Sequence, residues 1–220
     1  MWDAGWDEIF RRNEGGLYPP EELVRTMARW YGGEPGHPGV KVLEIGCGSG
    51  ANLLYLARQG YEAIGIDGSG VALDIASRRL AVEGLAATLH HGDVGALPFP
   101  DAGIDCVIDI ECLYANSFAD SRRIVSEIHR VLRPGGRFFS KHFMVGLSAE
   151  SETRLDGEAN TLVGVTGGVL RQGYGIARLL SEEEIPLLYG RFDEIEYDWV
   201  IRTDRNRRLT VKEWLIQCRK

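Results

Sequence analysis

Apolar positions along this chain recur first at helical spacing and then at strand spacing. Trp2, Trp6, Ile9 and Phe10 fall near i, i+4, i+7 and i+8, one face of a short amphipathic helix over residues 2–13. A second helix is predicted from Pro20, whose fixed φ suits a first turn, through Leu23, Met27 and Trp30. The stretch from Gly32 to Gly39 breaks the pattern. From Val40 onward short apolar runs predict strands over 40–45, 61–66, 86–90, 104–110 and 137–145, interspersed with helices over 51–59, 71–83 and 121–132. Gly60 and Gly84 stop the first two of those helices, and Arg133-Pro134-Gly135-Gly136 closes the third. Repeated βα units require right-handed crossovers, so the pattern predicts an α/β domain with a doubly wound, mostly parallel sheet covered on both faces.

Residues 146–175 lose this rhythm and are rich in glycine, which reads as an insertion over the sheet edge; loops of that length are usually functional. Ser181 with Glu184 three residues later forms a capping-box pattern for a further helix. Two strands follow at about 193–203 and 208–218, and the polar link from Asp204 to Arg207 predicts an antiparallel hairpin. The chain thus divides into a helical cover (1–39), a core (40–145), an insertion (146–180) and a closing helix and hairpin (181–220), all in one domain without internal repeats.

Candidate chemistry concentrates where strands end. Val42-Leu43-Glu44-Ile45 runs into Gly46-Cys47-Gly48-Ser49-Gly50 and leaves as a helix through Ala51, Asn52 and Leu53. Side-chain-free positions in such a turn let the backbone approach a ligand closely. By itself the loop suits a nicotinamide dinucleotide as well as any other adenosine ligand. Asp67 ends the second strand, where a carboxylate accepts from ribose hydroxyls, and again either cofactor fits. Asp93, closing the third strand in Gly92-Asp93-Val94, is placed for an adenine amino group. Asp67 and Asp93 are alternatively ordinary turn residues. The closing hairpin, in place of a second mononucleotide-binding half, disfavours the nicotinamide reading.

Composition narrows the ligand class further. A length of 220 residues suits one domain, and a formal charge of -7 disfavours a general binder of phosphate backbones. Small acceptors are therefore expected, with no nucleic-acid partner. Cys47, Cys106, Cys112 and Cys218 form no CxxC pair and read as reduced thiols of a cytoplasmic protein, with no structural zinc or other metal expected. The first residues lack a basic start followed by an apolar core, which disfavours a secretory signal, and no apolar run approaches the roughly 20 residues that span a bilayer.

Taken together, Val42 to Gly50, Gly65-Ile66-Asp67, Gly92-Asp93-Val94, Leu97-Pro98-Phe99 and Leu132-Arg133-Pro134-Gly135-Gly136 resemble the class I S-adenosylmethionine-dependent methyltransferases. Tyr18-Pro19, Phe139-Ser140-Lys141, Ser181-Glu182-Glu183-Glu184-Ile185 and Arg202-Thr203-Asp204 with Trp214 are similar to a bacterial branch of that superfamily. The resemblance implies a seven-stranded Rossmann-like sheet in the order 3-2-1-4-5-7-6 with strand seven antiparallel. It implies S-adenosylmethionine as cofactor and S-adenosylhomocysteine as product. Gly46, Cys47 and Gly48 would pack on the methionyl and ribose parts, Glu44 would orient the loop and meet the amino group directly or through water, and Asn52 would also bind the cofactor. Most relatives carry Asp at the position of Glu44. Asp67 and Gly68 would meet the ribose, Asp93 and the Val94 amide the adenine, and Ile110 and Glu111 the methionyl end.

The expected reaction is methyl transfer to O, N or C of a small molecule by a monomer or homodimer; the alternatives are diversion of the cofactor, as in cyclisation, and adenosine binding without turnover. His142 and Glu111 are candidate bases, with Tyr114 and Asn116 as positioning groups. His142 is alternatively a hydrogen-bonded core residue, and Asn116 a turn cap. Trp2 and Trp6 are assigned to packing, with a substrate lid as the alternative, His90 and His91 to the surface, and the run from Arg202 to Arg208 to a solvated hairpin tip.

Overall fold

The computed structural model describes residues 3–33, 37, 39–151, 153–170 and 175–220, so Trp2 and part of the 32–39 connection lie outside the described residues. Helix α1 (Gly5–Arg12) and helix α2 (Glu21–Tyr31) precede the sheet. Strands β1 (Lys41–Ile45), β2 (Glu62–Asp67), β3 (Thr88–His91), β4 (Ile104–Ile110) and β5 (Leu132–Phe143) alternate with α3 (Ala51–Arg58), α4 (Gly70–Val82) and α5 (Phe118–Val131). The insertion contributes short strands β6 (Ala149–Glu150), β7 (Thr153–Leu155), β8 (Glu158–Val163), β9 (Gly167–Gly168) and β10 (Ile176–Arg178). Helix α6 (Ile185–Tyr189) then leads to β11 (Glu194–Asp204) and β12 (Leu209–Arg219).

The main sheet runs β11-β12-β5-β4-β1-β2-β3. Counting only its seven members, this is the expected 3-2-1-4-5-7-6, with β12 antiparallel to both neighbours and the other pairs parallel. Parallel strands must be covered on both faces, and their sequences obey that. Leu43, Ile45, Val107, Phe138 and Trp214 pack with α5 and α6, whereas Val42, Cys106, Ile108 and Phe139 pack with α2 and α3. The insertion, which carries no clear periodicity, folds as a three-stranded and a two-stranded sheet around a separate apolar cluster of Leu147, Leu162, Val165, Leu170 and Val211 against Tyr114 and Phe143. Ser181 and Glu184 make the predicted capping box, Ser181 N donating to Glu184 Oε2 at 2.9 Å.

The joint between insertion and core is a buried arginine. Arg178 of β10 is 1% exposed, lies 4.3 Å from the centre of the Phe118 ring, and has Nη2 3.0 Å from Glu184 Oε1. Glu158 of β8 accepts from the Phe118 amide at the start of α5 and from Thr161 Oγ1, so one carboxylate ties the insertion to a helix N-terminus.

Candidate active site

At the carboxyl edge of the sheet, Gly46, Gly48 and Gly50 all take positive φ, +61°, +50° and +82°. Gly46 and Gly50 also have no room for a side chain, Gly50 because a Cβ would lie 2.9 Å from Ala76 Cβ, and Gly48 is tight. A Cβ on Gly46 would lie 2.6 Å from Cys112 Cβ, and one on Gly48 would lie 3.1 Å from the Phe10 ring. Asp67, 6% exposed, braces the loop: Oδ2 accepts from the Gly48 amide at 2.8 Å and Oδ1 from the Ser69 amide at 2.7 Å. Burial raises the Asp67 carboxyl above its usual value, against the pull of those two amides. Each oxygen keeps a second lone pair for a ligand hydroxyl.

Beside this loop lies a cavity lined by Gly46, Gly48, Asp67, Gly68, Asp93 and Val94 on one side, and by Glu111, Cys112, Ala115 and Asn116 on the other. It holds about 680 Å³ of atom-free space, part of it open to solvent. Helix α1 covers it with Trp6 and Phe10, while Asp7 accepts from Ser69 Oγ at 2.5 Å. Trp6 is therefore cavity wall as well as packing. Asp93 is half exposed and partly engaged, its Oδ1 accepting from the Gly95 amide at 2.9 Å and its Oδ2 3.3 Å from Arg123.

Glu44 and Asn52 stand behind the loop, outside the lining. Asn52 Nδ2 donates to Glu44 Oε1 at 2.6 Å, but Glu44 Oε2 and Asn52 Oδ1 are buried without partners. Burial, with Asp67 and Asp109 nearby, pushes the Glu44 carboxyl up to about 8. The Cys47 side chain is likewise buried, in the core cluster with Leu53, and burial lifts its thiol well above the usual range. Ile110 packs against that cluster rather than lining the cavity.

The end of β4 is shaped by a residue that sequence reasoning passed over. Asp109 is fully buried and accepts from the Cys112 amide (2.8 Å), the Leu113 amide (3.1 Å) and Ser140 Oγ (2.6 Å). Burial raises its carboxyl to about 6 despite these donors. The turn it holds drives Glu111 to φ +60°, a left-handed conformation that costs a residue with a side chain about 1–3 kcal/mol. Asn116 closes the same turn, Nδ2 donating to the Cys112 carbonyl at 3.0 Å, so it both caps the turn and lines the cavity.

Past Glu111 opens a second cavity, lined by Glu111, Tyr114, Phe143, Val169, Leu170, Arg202 and Glu213 and giving onto about 890 Å³ of atom-free space. Tyr114 and Phe143 meet edge to face at 5.0 Å. Lys141 is buried behind them, 2.9 Å from Glu111 Oε1 and 2.5 Å from Glu213 Oε1. Arg202 thus borders a cavity and is not merely a solvated hairpin tip.

His142 goes elsewhere. One residue on from Lys141 it points to the opposite face of β5, fully buried, with Nδ1 3.0 Å from the Phe143 carbonyl and Nε2 unpartnered. Burial lowers its pKa to about 4. It lines neither cavity, which is the outcome expected of a core histidine. Asp109 carried a signal that was not used, a carboxylate between Ile108 and Ile110 in a mostly apolar strand, whereas Lys141 and Glu213 sit in strands that hold other polar residues.

Residues 42–136 match a family model described as a methyltransferase domain, on the fold just described. Over that stretch the chain carries a methyltransferase domain of the class I S-adenosylmethionine-dependent kind. The chain is 38% identical over 101 residues to an uncharacterized methyltransferase of Synechocystis, a match covering 46% of each chain. It is 38% identical over 102 residues to a fatty-acid O-methyltransferase of Mycolicibacterium smegmatis, covering 46% of this chain and 36% of that one. The matched stretch spans under half of either relative. A solved S-adenosylmethionine-dependent methyltransferase from Methanosarcina mazei superposes with a TM-score of 0.65 at 24% identity, over 82% of this chain and 92% of that one, and so shares the fold. The superfamily's cofactor is S-adenosylmethionine, and the residues fit it: a glycine cradle that any Cβ would obstruct, and a buried carboxylate oxygen of Glu44 lacking a partner.

Proposed function

We propose that this protein transfers the methyl group of S-adenosylmethionine to a small acceptor seated in the second cavity. The observation that carries the reading is that Glu111 lines both cavities, so a ligand in each would meet at one side chain. Bound S-adenosylmethionine supplies a methyl group already made electrophilic by its sulfonium. What the chain must add is alignment and exclusion of water.

Gly46 and Gly48 would accept the methionyl and ribose parts, Asp67 and Gly68 the ribose hydroxyls, and Asp93 with the Val94 amide the adenine. Trp6 and Phe10 on α1 would shield the cofactor from solvent. Tyr114 would hold the acceptor against Phe143, Asn116 would position it from the cofactor side, and Glu111 would take its proton, with Oε1 steadied by Lys141. No helix among the described residues is long and apolar enough to cross a membrane, in keeping with an acceptor taken from water.

Calorimetric titration with S-adenosylmethionine, S-adenosylhomocysteine and a nicotinamide dinucleotide tests the cofactor reading. Binding of the two adenosyl ligands only is expected, and binding of the dinucleotide alone would remove the proposal. Label from a methyl-labelled donor must then appear in a small acceptor.

A further inference from the structure

We propose that the second cavity takes a small amine in its protonated form, its nitrogen at Glu111 and an apolar body against Tyr114, Phe143 and Leu170. This deepens, and rests on, the methyl-transfer reading above. The charges around the cavity carry the argument. Glu111 and Glu213 face it as two carboxylates, and Glu213 is only 1% exposed. The buried cation near them, Lys141, lies within 2.9 Å of one and 2.5 Å of the other, so its charge is already engaged. With both carboxylates ionised, the three groups together carry one net negative charge. Arg202 approaches Glu213 to 4.0 Å, but its side chain is 56% exposed and water screens it. Burial lifts the Glu213 carboxyl, Lys141 pulls it down, and neighbouring Glu111 lifts it again. A cation arriving between the pair relieves that repulsion.

The apolar wall suits the same ligand. Two aromatic rings beside two carboxylates attract an ammonium through ring faces and charge together. A carboxylate acceptor would add a third negative group beside a lysine with none of its charge to spare. An amine also explains why two carboxylates stand where the cavities meet. Both the methyl donor and a protonated amine are cations, and placing them side by side is costly without a shared anion. In the reaction the ammonium gives one proton to the Glu111 carboxylate, and the freed nitrogen lone pair forms the new N–C bond. The electrons of the breaking C–S bond stay on sulfur, which ends neutral, and the methylated amine carries the positive charge that sulfur lost.

Binding reads this without turnover. Phenethylamine, phenethyl alcohol and hydrocinnamate share one aromatic body and differ in charge; each is titrated by NMR into the protein, free and loaded with S-adenosylhomocysteine. Phenethylamine is expected to bind about tenfold or more tighter than hydrocinnamate, as reversal of one close, partly screened charge gives. Glu213→Gln should erase most of that ratio while S-adenosylhomocysteine affinity stays intact. Should Glu213→Gln not fold, exposed Arg202→Gln provides the check: amine affinity must hold or rise, and hydrocinnamate affinity must fall. Equal or tighter binding of hydrocinnamate or phenethyl alcohol, no saturable amine binding in the millimolar range, or a ratio unchanged in Glu213→Gln overturns the proposal. Loss of the methyl-transfer reading would show separately, as failure of the unmodified protein to bind S-adenosylhomocysteine.

Discussion

Glu44→Gln is expected to remove a pH-dependent weakness from the cofactor-free fold. In the folded protein Glu44 is 2% exposed, receives one hydrogen bond, from Asn52, and has a second oxygen with no partner. Its pKa rises from an ordinary 4.5 to about 8, with burial the largest cause and Asp67 and Asp109 adding to it. A folded value above the unfolded one means that the native state holds a proton the unfolded chain has lost. The associated stability is therefore complete below about pH 4.5 and disappears as pH rises through about 8. A gap of that size corresponds to about 3–5 kcal/mol, a large share of the stability of a domain this size. Gln keeps the acceptor for Asn52 Nδ2, offers a donor near the unpartnered Asn52 Oδ1, and does not titrate.

Urea denaturation of both proteins between about pH 5 and 8.5, without cofactor, measures the difference. The unmodified protein should lose stability relative to the variant with rising pH, and calorimetry near neutrality should show proton release on S-adenosylmethionine binding only while Glu44 is present. Parallel stability curves would show that Glu44 does not carry a buried proton and would refute the reasoning.

Asp67→Asn leaves one acceptor for two amides and should cost about 1.5–3 kcal/mol, the contribution of a hydrogen bond to a charged group, with a corresponding drop in S-adenosylhomocysteine affinity measured by calorimetry. Gly46→Ala combines a positive φ with a 2.6 Å collision against Cys112 and should abolish cofactor binding outright; retained affinity would mean that Cys112 moves freely. Phe10→Ala uncovers the cradle and should speed cofactor dissociation, by stopped-flow fluorescence, far more than it lowers melting temperature. His142→Leu should change stability alone, because the ring lines neither cavity; a drop in turnover at unchanged cofactor affinity would return it to the list of bases.

Periodicity located the sheet because strands buried on both faces read as unbroken apolar runs, and because Gly60 and Gly84 mark where helices stop. The cofactor side was legible for a related reason: close backbone approach demands glycine, so Gly46 and Gly48 announce themselves. The second cavity was legible only in Glu111 and Tyr114, which follow β4. Lys141, Glu213 and Arg202 come from three strands that meet only after β12 inserts beside β5, and no local spacing records that pairing. His142 lines neither cavity, and sequence does not say on which face of β5 each of the consecutive Ser140, Lys141 and His142 will point; Lys141 is the one beside Glu111 and Glu213. The insertion hid its strands since four of them are two or three residues long and the six-residue β8, Glu158–Val163, lacks alternation.

The Arg178 joint has an implication for how such a chain diversifies. Phe118, Glu158 and Glu184 gather around one guanidinium, which together with the apolar cluster on Tyr114, Phe143 and Val211 fastens the small sheets that supply Val169 and Leu170 to the central layer. A segment fastened that way is exchangeable: evolution, or an engineer, can swap the stretch between Gly146 and Arg178 for a differently shaped cap while the nucleoside seat, built from the ends of β1 to β4 and covered by α1, keeps its own residues.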